Sequence, residues 1–215
     1  MIPTTSHFSL ATGILHVIDG IALFILVLFL WIPFFWFIFH PAIAFWRKAG
    51  NRAFWVALPV WMVFAGCIVA TRHELLARRF DRNWITWTMG ALLFCVACWL
   101  DVQTRHAFGW RRLAGLTELN VRHPLCGVIR TGVYGRLRHP RYALYMLMVL
   151  SMAFLTGATP IFLLAFLNIL MYQILAPLEE RELVDQYGSQ YEDYQRSVPR
   201  FVPRIKRTPA APRSP

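Results

Sequence analysis

Long apolar stretches separated by short polar connections set the pattern of this chain. Residues 14–39 contain no Lys or Arg and only one acid, and residues 54–70 and 84–100 contain no charged residue. A bilayer core is crossed by roughly 17 to 25 predominantly apolar residues. These three stretches therefore predict membrane-spanning helices. We expect the first to be kinked at Pro33 and retained rather than cleaved as a signal peptide.

Two shorter apolar stretches, residues 142–156 and 161–176, flank the sequence TGATP at residues 156–160, whose composition is typical of a tight turn. They predict a helical hairpin that enters the membrane and reaches the far leaflet only in part. All the stretches together predict an all-α integral membrane protein with about five transmembrane helices, the last two forming the helical hairpin.

The charged segment after the hairpin carries residues at helical spacing, namely Leu183, Tyr187, Tyr191 and Tyr194. This periodicity predicts a cytoplasmic C-terminal amphipathic helix with a tyrosine-rich face. Residues 204–215 have the composition of a disordered tail. The chain thus divides into three N-terminal spans in residues 1–100, a second part in residues 101–203 that holds the polar motifs, and the tail.

The distribution of positive charge predicts the orientation in the membrane. With five spans, the connections on one side carry eighteen of the 22 Lys and Arg residues, and the other side carries four, all in residues 71–83. Because Lys and Arg favour the cytoplasmic side, we expect the N-terminus outside and the C-terminus in the cytoplasm, at the inner membrane if the source is bacterial. The net charge of +11 lies beside the spans and indicates contact with anionic membrane lipids rather than nucleic acid.

The cysteines and histidines give no indication of a metal site. Cys95 and Cys98 form a C-x-x-C pair, but they lie inside the third apolar stretch. Small buried side chains explain them better there than redox or metal chemistry does. The seven His residues are scattered and lack the spacing of a ligand set, so no metal is expected.

Two charged motifs flank the predicted hairpin. RHPRY occupies residues 138–142 before it, and the acidic pair of Glu179 and Glu180 follows it. Because the two ends of a hairpin lie at the same membrane face, the motifs come close together. Taken singly, the acids could pair with the arginines of RHPRY, and its histidine and proline could simply begin a helix.

Considered together, the two motifs suit a zwitterionic ligand. S-adenosylmethionine is such a ligand, because its sulfonium and ammonium are cationic, its carboxylate is anionic and its ribose hydroxyls favour a carboxylate acceptor. Tyrosines can flank its adenine or face its sulfonium. The motifs are therefore compatible with S-adenosylmethionine as a ligand.

The stretch GVYGRLRHPRY at residues 132–142, followed by the hairpin and by EERELVDQYGSQYEDYQRSVPRFVP, resembles the isoprenylcysteine carboxyl methyltransferase family. These integral-membrane enzymes have phospholipid N-methyltransferase relatives. The resemblance covers roughly residues 84–203 and is strongest from residue 126 onward. It implies an S-adenosylmethionine-dependent methyltransferase with its core in residues 101–203, a cofactor pocket open to the cytosol, and entry of the acceptor from the lipid.

The same resemblance implies roles for individual residues. Glu179 matches the cofactor-binding glutamate of the family. Arg138 and Glu180 are predicted to be catalytic: Arg138 would orient an acidic acceptor or the cofactor carboxylate, and Glu180 is a candidate general base beside His139 or Tyr142, as well as the second choice for the cofactor. The other implied cofactor-binding residues are Cys126, Gly127, Val128, Ile129, Tyr134, His139, Pro140, Arg141 and Tyr142.

Two positions depart from the family pattern and bear on the acceptor. Many members carry a glycine where this chain has Leu144, and the prenylcysteine enzymes carry a substrate-binding arginine where it has Leu175. The prediction is methyl transfer to a lipophilic or membrane-associated acceptor, most like the isoprenylcysteine carboxyl O-methyltransferases. The alternatives are a phospholipid amine or small thiol as acceptor, a non-catalytic membrane scaffold of the same fold, and a nicotinamide-dependent sterol reductase.

Overall fold

The computed structural model describes residues 5–39, 48, 52–108 and 127–204, and over these residues the ordered elements are helices. In chain order they are α1 (Thr5–Ile25), a π-helical turn (Leu26–Leu30), α2 (Trp31–Phe39), α3 (Arg52–Ala70), α4 (Arg72–Ala77), α5 (Trp84–Phe108), a 3-10 turn (Gly132–Gly135), α6 (Pro140–Thr156), α7 (Thr159–Tyr187) and α8 (Ser189–Ser197). The predicted all-α class is confirmed. The predicted disordered tail lies outside the described residues, except for its first residue.

In the part of the chain that the structure describes, three helices are long and apolar enough to cross a membrane, namely Thr12–Phe37, Trp84–Ala107 and Thr159–Tyr187. Trp55–Ala70 and Pro140–Thr156 are apolar but shorter. Large apolar side chains cover the outer faces of these helices, as at Phe166, which is 62% exposed. So much exposed apolar surface is typical of a membrane protein. The count of five spans and their orientation stay predictions.

The first span is irregular just before Pro33. A π-helical turn at Leu26–Leu30 separates α1 from α2. Proline has no N–H to donate to the carbonyl four residues earlier, which disturbs the hydrogen-bond ladder at this point. Trp61 on α3 donates its indole N–H to the carbonyl of Val27 at 3.2 Å, which satisfies one backbone oxygen of the turn. The predicted proline distortion is therefore a π-helical turn braced by the next helix.

Helix α6 lies at the centre of the fold and packs against α5, α7, α1 and the π-helical turn. Most of its residues are buried, including Val149, Met152 and Ala153. The contact with α5 is the most extensive, and α5 continues through the boundary predicted at residue 100. The N-terminal end of α6, which carries the RHPRY motif, is thereby held by helices from both halves of the chain.

The turn between α6 and α7 is held from outside by the 71–83 connection. Gly157 ends α6 in the left-handed conformation, with φ of 67°. The backbone of residues 78–80 pairs with this turn: Phe80 donates to Gly157 at 3.0 Å, and Thr159 donates to Arg78 at 2.9 Å. Arg79 makes a bidentate ion pair with Asp19 at 3.0 and 2.8 Å. One of the four positive charges that did not fit the predicted orientation is thus neutralised by α1.

The segment after the hairpin is divided between two helices. The single amphipathic helix that we predicted is instead the end of α7 followed by α8, with Gly188 between them. Tyr191 and Tyr194 are buried together with Val198, and residues 183, 184 and 187 from α7 pack against them. The tyrosine-rich face forms, but by folding α8 back onto α7 rather than by continuing one helix.

Replacing Gly188 with alanine tests this break. Gly188 has φ of 56° and ψ of −137°, a region that is accessible almost only to glycine. We expect Gly188→Ala to lower the free energy of unfolding by about 1–3 kcal/mol. Gly66→Ala, inside α3 with no atom near its Cβ position, is the control and should not destabilise. Equal melting temperatures for the two variants in detergent would contradict the assignment.

Candidate functional site

A cavity opens where the N-terminal end of α6 meets the last turns of α7, α8 and Trp36 of α2. Nearly all of the predicted site residues line it; Glu180 does not, and Cys126 lies outside the described residues. The complete lining comprises Trp36, Gly127, Val128, Ile129, Tyr134, Arg138, His139, Pro140, Arg141, Tyr142, Tyr145, Glu179, Leu183, Tyr187, Tyr191 and Tyr194. The fold thus brings the basic and acidic motifs to one cavity.

The start of α6 is fixed by backbone pairing with the C-terminal segment. The amide of Arg138 donates to the carbonyl of Pro199 at 2.9 Å, and the amide of His139 donates to the carbonyl of Arg200 at 3.1 Å. His139 then caps α6, and Pro140 takes a first-turn position, where its missing N–H has no partner to lose. The start of the RHPRY motif is therefore clamped to the C-terminal segment.

Glu180 lies beneath the cavity wall and joins the two clamped segments. Its side chain is 5% exposed. Arg138 and His139 each donate to it at 3.0 Å, and Arg200 donates through two nitrogens at 3.0 and 2.6 Å. A carboxylate engaged by three cationic side chains is stabilised in its charged form and has little tendency to take a proton. This placement favours a structural role for Glu180 over the predicted general base.

Arg138 serves the same clamp. Besides Glu180, its guanidinium donates to the carbonyls of Gln195 and Val198 at the end of α8. The side chain touches the cavity but is only 10% exposed. Its Nε and Nη1 donors are directed at the protein, so the predicted role in orienting an acceptor would fall to Nη2 or need these bonds to rearrange. The sequence left open that the glutamates simply form ion pairs with the arginines of RHPRY. Glu180 and Arg138 form such an ion pair.

His139 lies between the two glutamates. Its Nδ1 is 3.3 Å from Glu179 Oε2, and its Nε2 is 3.0 Å from Glu180 Oε1. Tyr142 stacks on the ring, with centroids 5.2 Å apart and planes 9° apart. Burial by itself lowers the pKa of His139, but the hydrogen bonds and charges of the two carboxylates outweigh it, and the pKa is raised above its usual value. The ring thus has a carboxylate beside each nitrogen, which favours its charged imidazolium form.

A pH titration of thermal stability tests the imidazolium. A raised pKa in the folded protein means that the stability contributed by His139 is fully present below the unfolded pKa of about 6.5 and is lost as the pH rises through the folded pKa. We expect the melting temperature of the wild type to fall as the pH rises above about 6.5. His139→Gln should melt lower at neutral pH and lack this part of the pH dependence. The same slope in both proteins would contradict the charged state.

Glu179 and Arg141 bring opposite charges to the cavity. The side chain of Glu179 is 29% exposed, in contrast to its buried neighbour Glu180. The guanidinium of Arg141 donates to the hydroxyl of Tyr145 at 3.2 and 2.9 Å and lies 5.8 Å from the centre of that ring. The cavity therefore presents a carboxylate and a guanidinium among aromatic rings, an arrangement that suits a ligand with charges of both signs.

Aromatic residues from α8 complete the wall opposite α6. The hydroxyl of Tyr194 donates to the carbonyl of Tyr134 at 2.6 Å, which ties α8 to the 3-10 turn. Burial raises the pKa of Tyr134, Tyr191 and Tyr194, so their hydroxyls stay protonated at physiological pH. The wall therefore supplies neutral rings and hydroxyl donors rather than an additional negative charge.

Residues 127–129 form one rim of the cavity next to α8. Gly127 has φ of 61°, and a Cβ placed there would approach the side chain of Gln190. The following Arg130 donates to the carbonyl of Gln190 and lies over the ring of Tyr194. The predicted backbone segment is thus held against the C-terminal helix, at the edge of the cavity.

The sequence interpretation missed several residues at this site. Tyr145 lies one helical turn after Arg141, and Tyr187 lies two turns after Glu179, so helical spacing from the predicted residues would have found both. Arg200 could be proposed from the sequence only as a cation for an acidic acceptor; its pairing with Glu180, from beyond α8, has no local signal. Trp36 comes from the N-terminal spans, which we had separated from the functional part of the chain.

The two departures from the family pattern are buried outside the cavity. Leu144 is 3% exposed and Leu175 is 0% exposed, and both belong to the apolar core. Leu144 therefore does not fill the cavity on this side of α6. Leu175 places an apolar side chain one turn before Glu179, where the resemblance implies a cation for the substrate carboxylate.

Comparison with known proteins agrees with this arrangement. Residues 85–190 match the family described as phospholipid methyltransferase (PEMT). The region covers α5, RHPRY, both glutamates and the start of α8. Over this region the chain is similar to that family, so the predicted resemblance to integral-membrane methyltransferases is confirmed.

The chain is also similar to one curated protein. Over 73 residues it is 33% identical to "Methanethiol S-methyltransferase 2" of Bradyrhizobium diazoefficiens. The match covers 34% of this chain and 27% of that protein, so the chain spans little more than a quarter of the relative's length. Both comparisons point to the methyltransferase class.

Proposed function

We propose that the protein transfers a methyl group from S-adenosylmethionine to a lipophilic or membrane-associated acceptor. The observation that carries this proposal is the cavity at the head of α6, where Glu179, Arg141 and a ring of tyrosines meet beside apolar helices. The phospholipid methyltransferase match over residues 85–190 supports the reaction class.

The donor set fits the cofactor. The Glu179 carboxylate suits the ribose hydroxyls or the ammonium, and Arg141 suits the carboxylate of the methionyl group. The rings of Tyr134, Tyr187 and Tyr191 offer faces for the adenine and for the sulfonium. When bound, S-adenosylmethionine supplies an electrophilic methyl group. The predicted contributions of Gly127, Val128 and Ile129 would come from the rim of the cavity.

The protein would contribute to catalysis chiefly by positioning the cofactor and the acceptor. The clamp around Glu180 holds His139 and RHPRY before binding, which lowers the cost of ordering the site. Methyl transfer is an in-line displacement, and alignment of the two reacting atoms accounts for a large part of such catalysis. Three residues were predicted as candidates to take a proton from the acceptor: Glu180, His139 and Tyr142. His139 and Glu180 are engaged with each other, whereas Tyr142 lines the cavity and packs against Tyr172 in the apolar interior.

The acceptor that we favour is a thiol rather than a prenylcysteine carboxylate. A carboxylate acceptor needs a cation near the apolar end of the cavity, but Leu175 is apolar, and Arg138 and Arg200 are bound to Glu180. The similarity to a methanethiol S-methyltransferase supports a thiol. In that reaction the thiol sulfur gains the methyl group and gives up its proton. The membrane would deliver the acceptor, with the C-terminal side of the protein in the cytoplasm.

A methyl-transfer assay tests this proposal. The purified protein in detergent is given S-adenosylmethionine with a tritiated methyl group and either decane-1-thiol, farnesylcysteine or phosphatidylethanolamine vesicles. We expect label in the thiol product, and much less in the ester or the methylated lipid. If the protein binds S-adenosylhomocysteine but no acceptor is labelled, the scaffold alternative is favoured. If it binds reduced nicotinamide cofactor instead, the reductase alternative is favoured.

A further inference from the structure

Two polar side chains lie in the apolar interior without a partner. Asn168 and Tyr172 on α7 are each 0% exposed. Among the described residues, no hydrogen bond reaches the amide nitrogen or oxygen of Asn168, or the hydroxyl of Tyr172. Buried polar groups almost always have a partner, because an unpaired one has lost its bonds to water without replacement. Three unpaired atoms one helical turn apart therefore need an explanation.

The pair is aligned with the proposed cofactor site. Residues 168, 172, 175 and 179 follow one another at spacings of four, three and four, so they lie on one face of α7. With a rise of 1.5 Å per residue, Tyr172 is about 10 Å and Asn168 about 16 Å along the helix from Glu179. The face runs from the cavity toward the middle of the hairpin.

Aromatic rings connect the pair to the cavity. Tyr172 packs on Tyr142, with centroids 4.7 Å apart, and lies 6.1 Å from Tyr145. Both partner rings line the cavity. Tyr145 also stacks on Phe29 of the π-helical turn, at 5.2 Å. The unpaired groups are thus separated from the cavity by the rings of Tyr142 and Tyr145, on the side toward the apolar interior of the hairpin.

We propose that Asn168 and Tyr172 form the acceptor subsite of the enzyme and bind a neutral hydrogen-bonding group of the membrane-delivered substrate. This inference rests on the proposed methyl transfer. A substrate that enters from the apolar interior would satisfy groups that the protein leaves unpaired. A site built in this way discriminates strongly, because any molecule without the polar group leaves the amide and hydroxyl unpaired.

The charge distribution disfavours an anionic group at the depth of Asn168, with Arg141 at the start of α6 as the cation on the cavity side of Tyr172. Residues 142–156 of α6, residues 159–178 of α7 and residues 84–100 of α5 contain no Asp, Glu, Lys or Arg. A carboxylate or phosphate bound beside Asn168 would be buried without a counter-charge, at a high cost. An uncharged thiol meets no such cost, so the subsite selects a neutral acceptor over an acid of the same length.

Tyr172→Phe and Asn168→Ala test the subsite, with Gln173→Leu as the matched control. Tyr172→Phe removes only the unpaired oxygen, whereas Gln173 is the neighbouring polar residue and is exposed on the outer face of α7. Methyl transfer to decane-1-thiol and to decanoate, which differ only in the head group, is compared in all proteins. Binding of S-adenosylhomocysteine and the melting temperature are measured beside it.

We expect the wild type to methylate decane-1-thiol in preference to decanoate. Tyr172→Phe and Asn168→Ala should each raise the KM for the thiol about tenfold, which is the loss of one hydrogen bond. The affinity for S-adenosylhomocysteine should stay unchanged, and Tyr172→Phe should melt no lower than the wild type, because the oxygen it loses has no partner. Gln173→Leu should retain the wild-type KM.

Three outcomes would overturn the subsite. The first is an unchanged KM in both variants, which would mean that the pair has no contact with substrate. The second is a preference for decanoate. The third is normal binding of S-adenosylhomocysteine by the wild type without methylation of either acceptor. Failure of the wild type to bind S-adenosylhomocysteine would instead overturn the proposed function itself.

Discussion

Glu180→Gln is expected to destabilise the protein by about 3–5 kcal/mol, the range observed when one partner of a buried ion pair is removed. The substitution keeps the shape of the side chain but removes its charge. Three cationic side chains, Arg138, His139 and Arg200, then remain clustered around a neutral amide. The start of α6 and the C-terminal segment lose the group that joins them, so cofactor binding should weaken as well.

The control for this experiment is Glu192→Gln on α8. The Glu192 side chain is 51% exposed and lies 4.0 Å from Arg196. Exposed ion pairs contribute roughly 0–1 kcal/mol, so this variant should unfold close to the wild type. Unfolding of both variants in denaturing detergent gives the comparison. Equal stabilities would show that Glu180 does not hold the start of α6 and the C-terminal segment together.

Glu179→Ala is expected to weaken cofactor binding about 100-fold while the protein stays folded. A carboxylate that accepts two hydrogen bonds from the ribose contributes enough for about a 100-fold loss of affinity when it is removed. The side chain lies on the cavity wall and is 29% exposed, whereas that of Glu180 is 5% exposed. The loss of stability should therefore be much smaller than for Glu180→Gln.

Asp185→Ala is the matched control, because Asp185 is an exposed acid on the same helix. Calorimetric titration with S-adenosylhomocysteine gives the affinities, and a melting curve gives the stability of each variant. Normal binding by Glu179→Ala would contradict the assignment of Glu179. Lost binding in both variants would point to a general effect of charge rather than to the cavity.

The opposite roles of these two adjacent glutamates show where sequence interpretation ends. The hairpin pattern and the composition of RHPRY are local, and they suffice to predict that basic and acidic motifs meet at one membrane face. Neighbouring residues on a helix point about 100° apart, so one of the pair faces the cavity and the other the protein. Only the packing of α6 and α8 around α7 decides which. The sequence therefore predicted that both glutamates lie near RHPRY, and the resemblance implied Glu179 as the cofactor residue. Neither predicted that Glu180 is the one buried against Arg138, His139 and Arg200.

Other features depend on contacts that are distant in the sequence. The backbone pairing of residues 138–139 with residues 199–200 joins segments about 60 residues apart and leaves no periodic signal. Trp36 reaches the cavity because α2 packs on α7, which no local pattern indicates. The break at Gly188 could have been predicted, because a glycine between two helical patterns is a recognised signal for the end of a helix. The tyrosine periodicity that continues across it favoured one helix instead.

The central claim is that the cavity at the head of α6 binds S-adenosylmethionine. Calorimetric titration of the detergent-purified wild type with S-adenosylhomocysteine tests it most directly, with reduced nicotinamide cofactor titrated in parallel. The account predicts micromolar, one-to-one binding of S-adenosylhomocysteine and no heat from the nicotinamide. A folded protein that gives no heat with S-adenosylhomocysteine would contradict the claim.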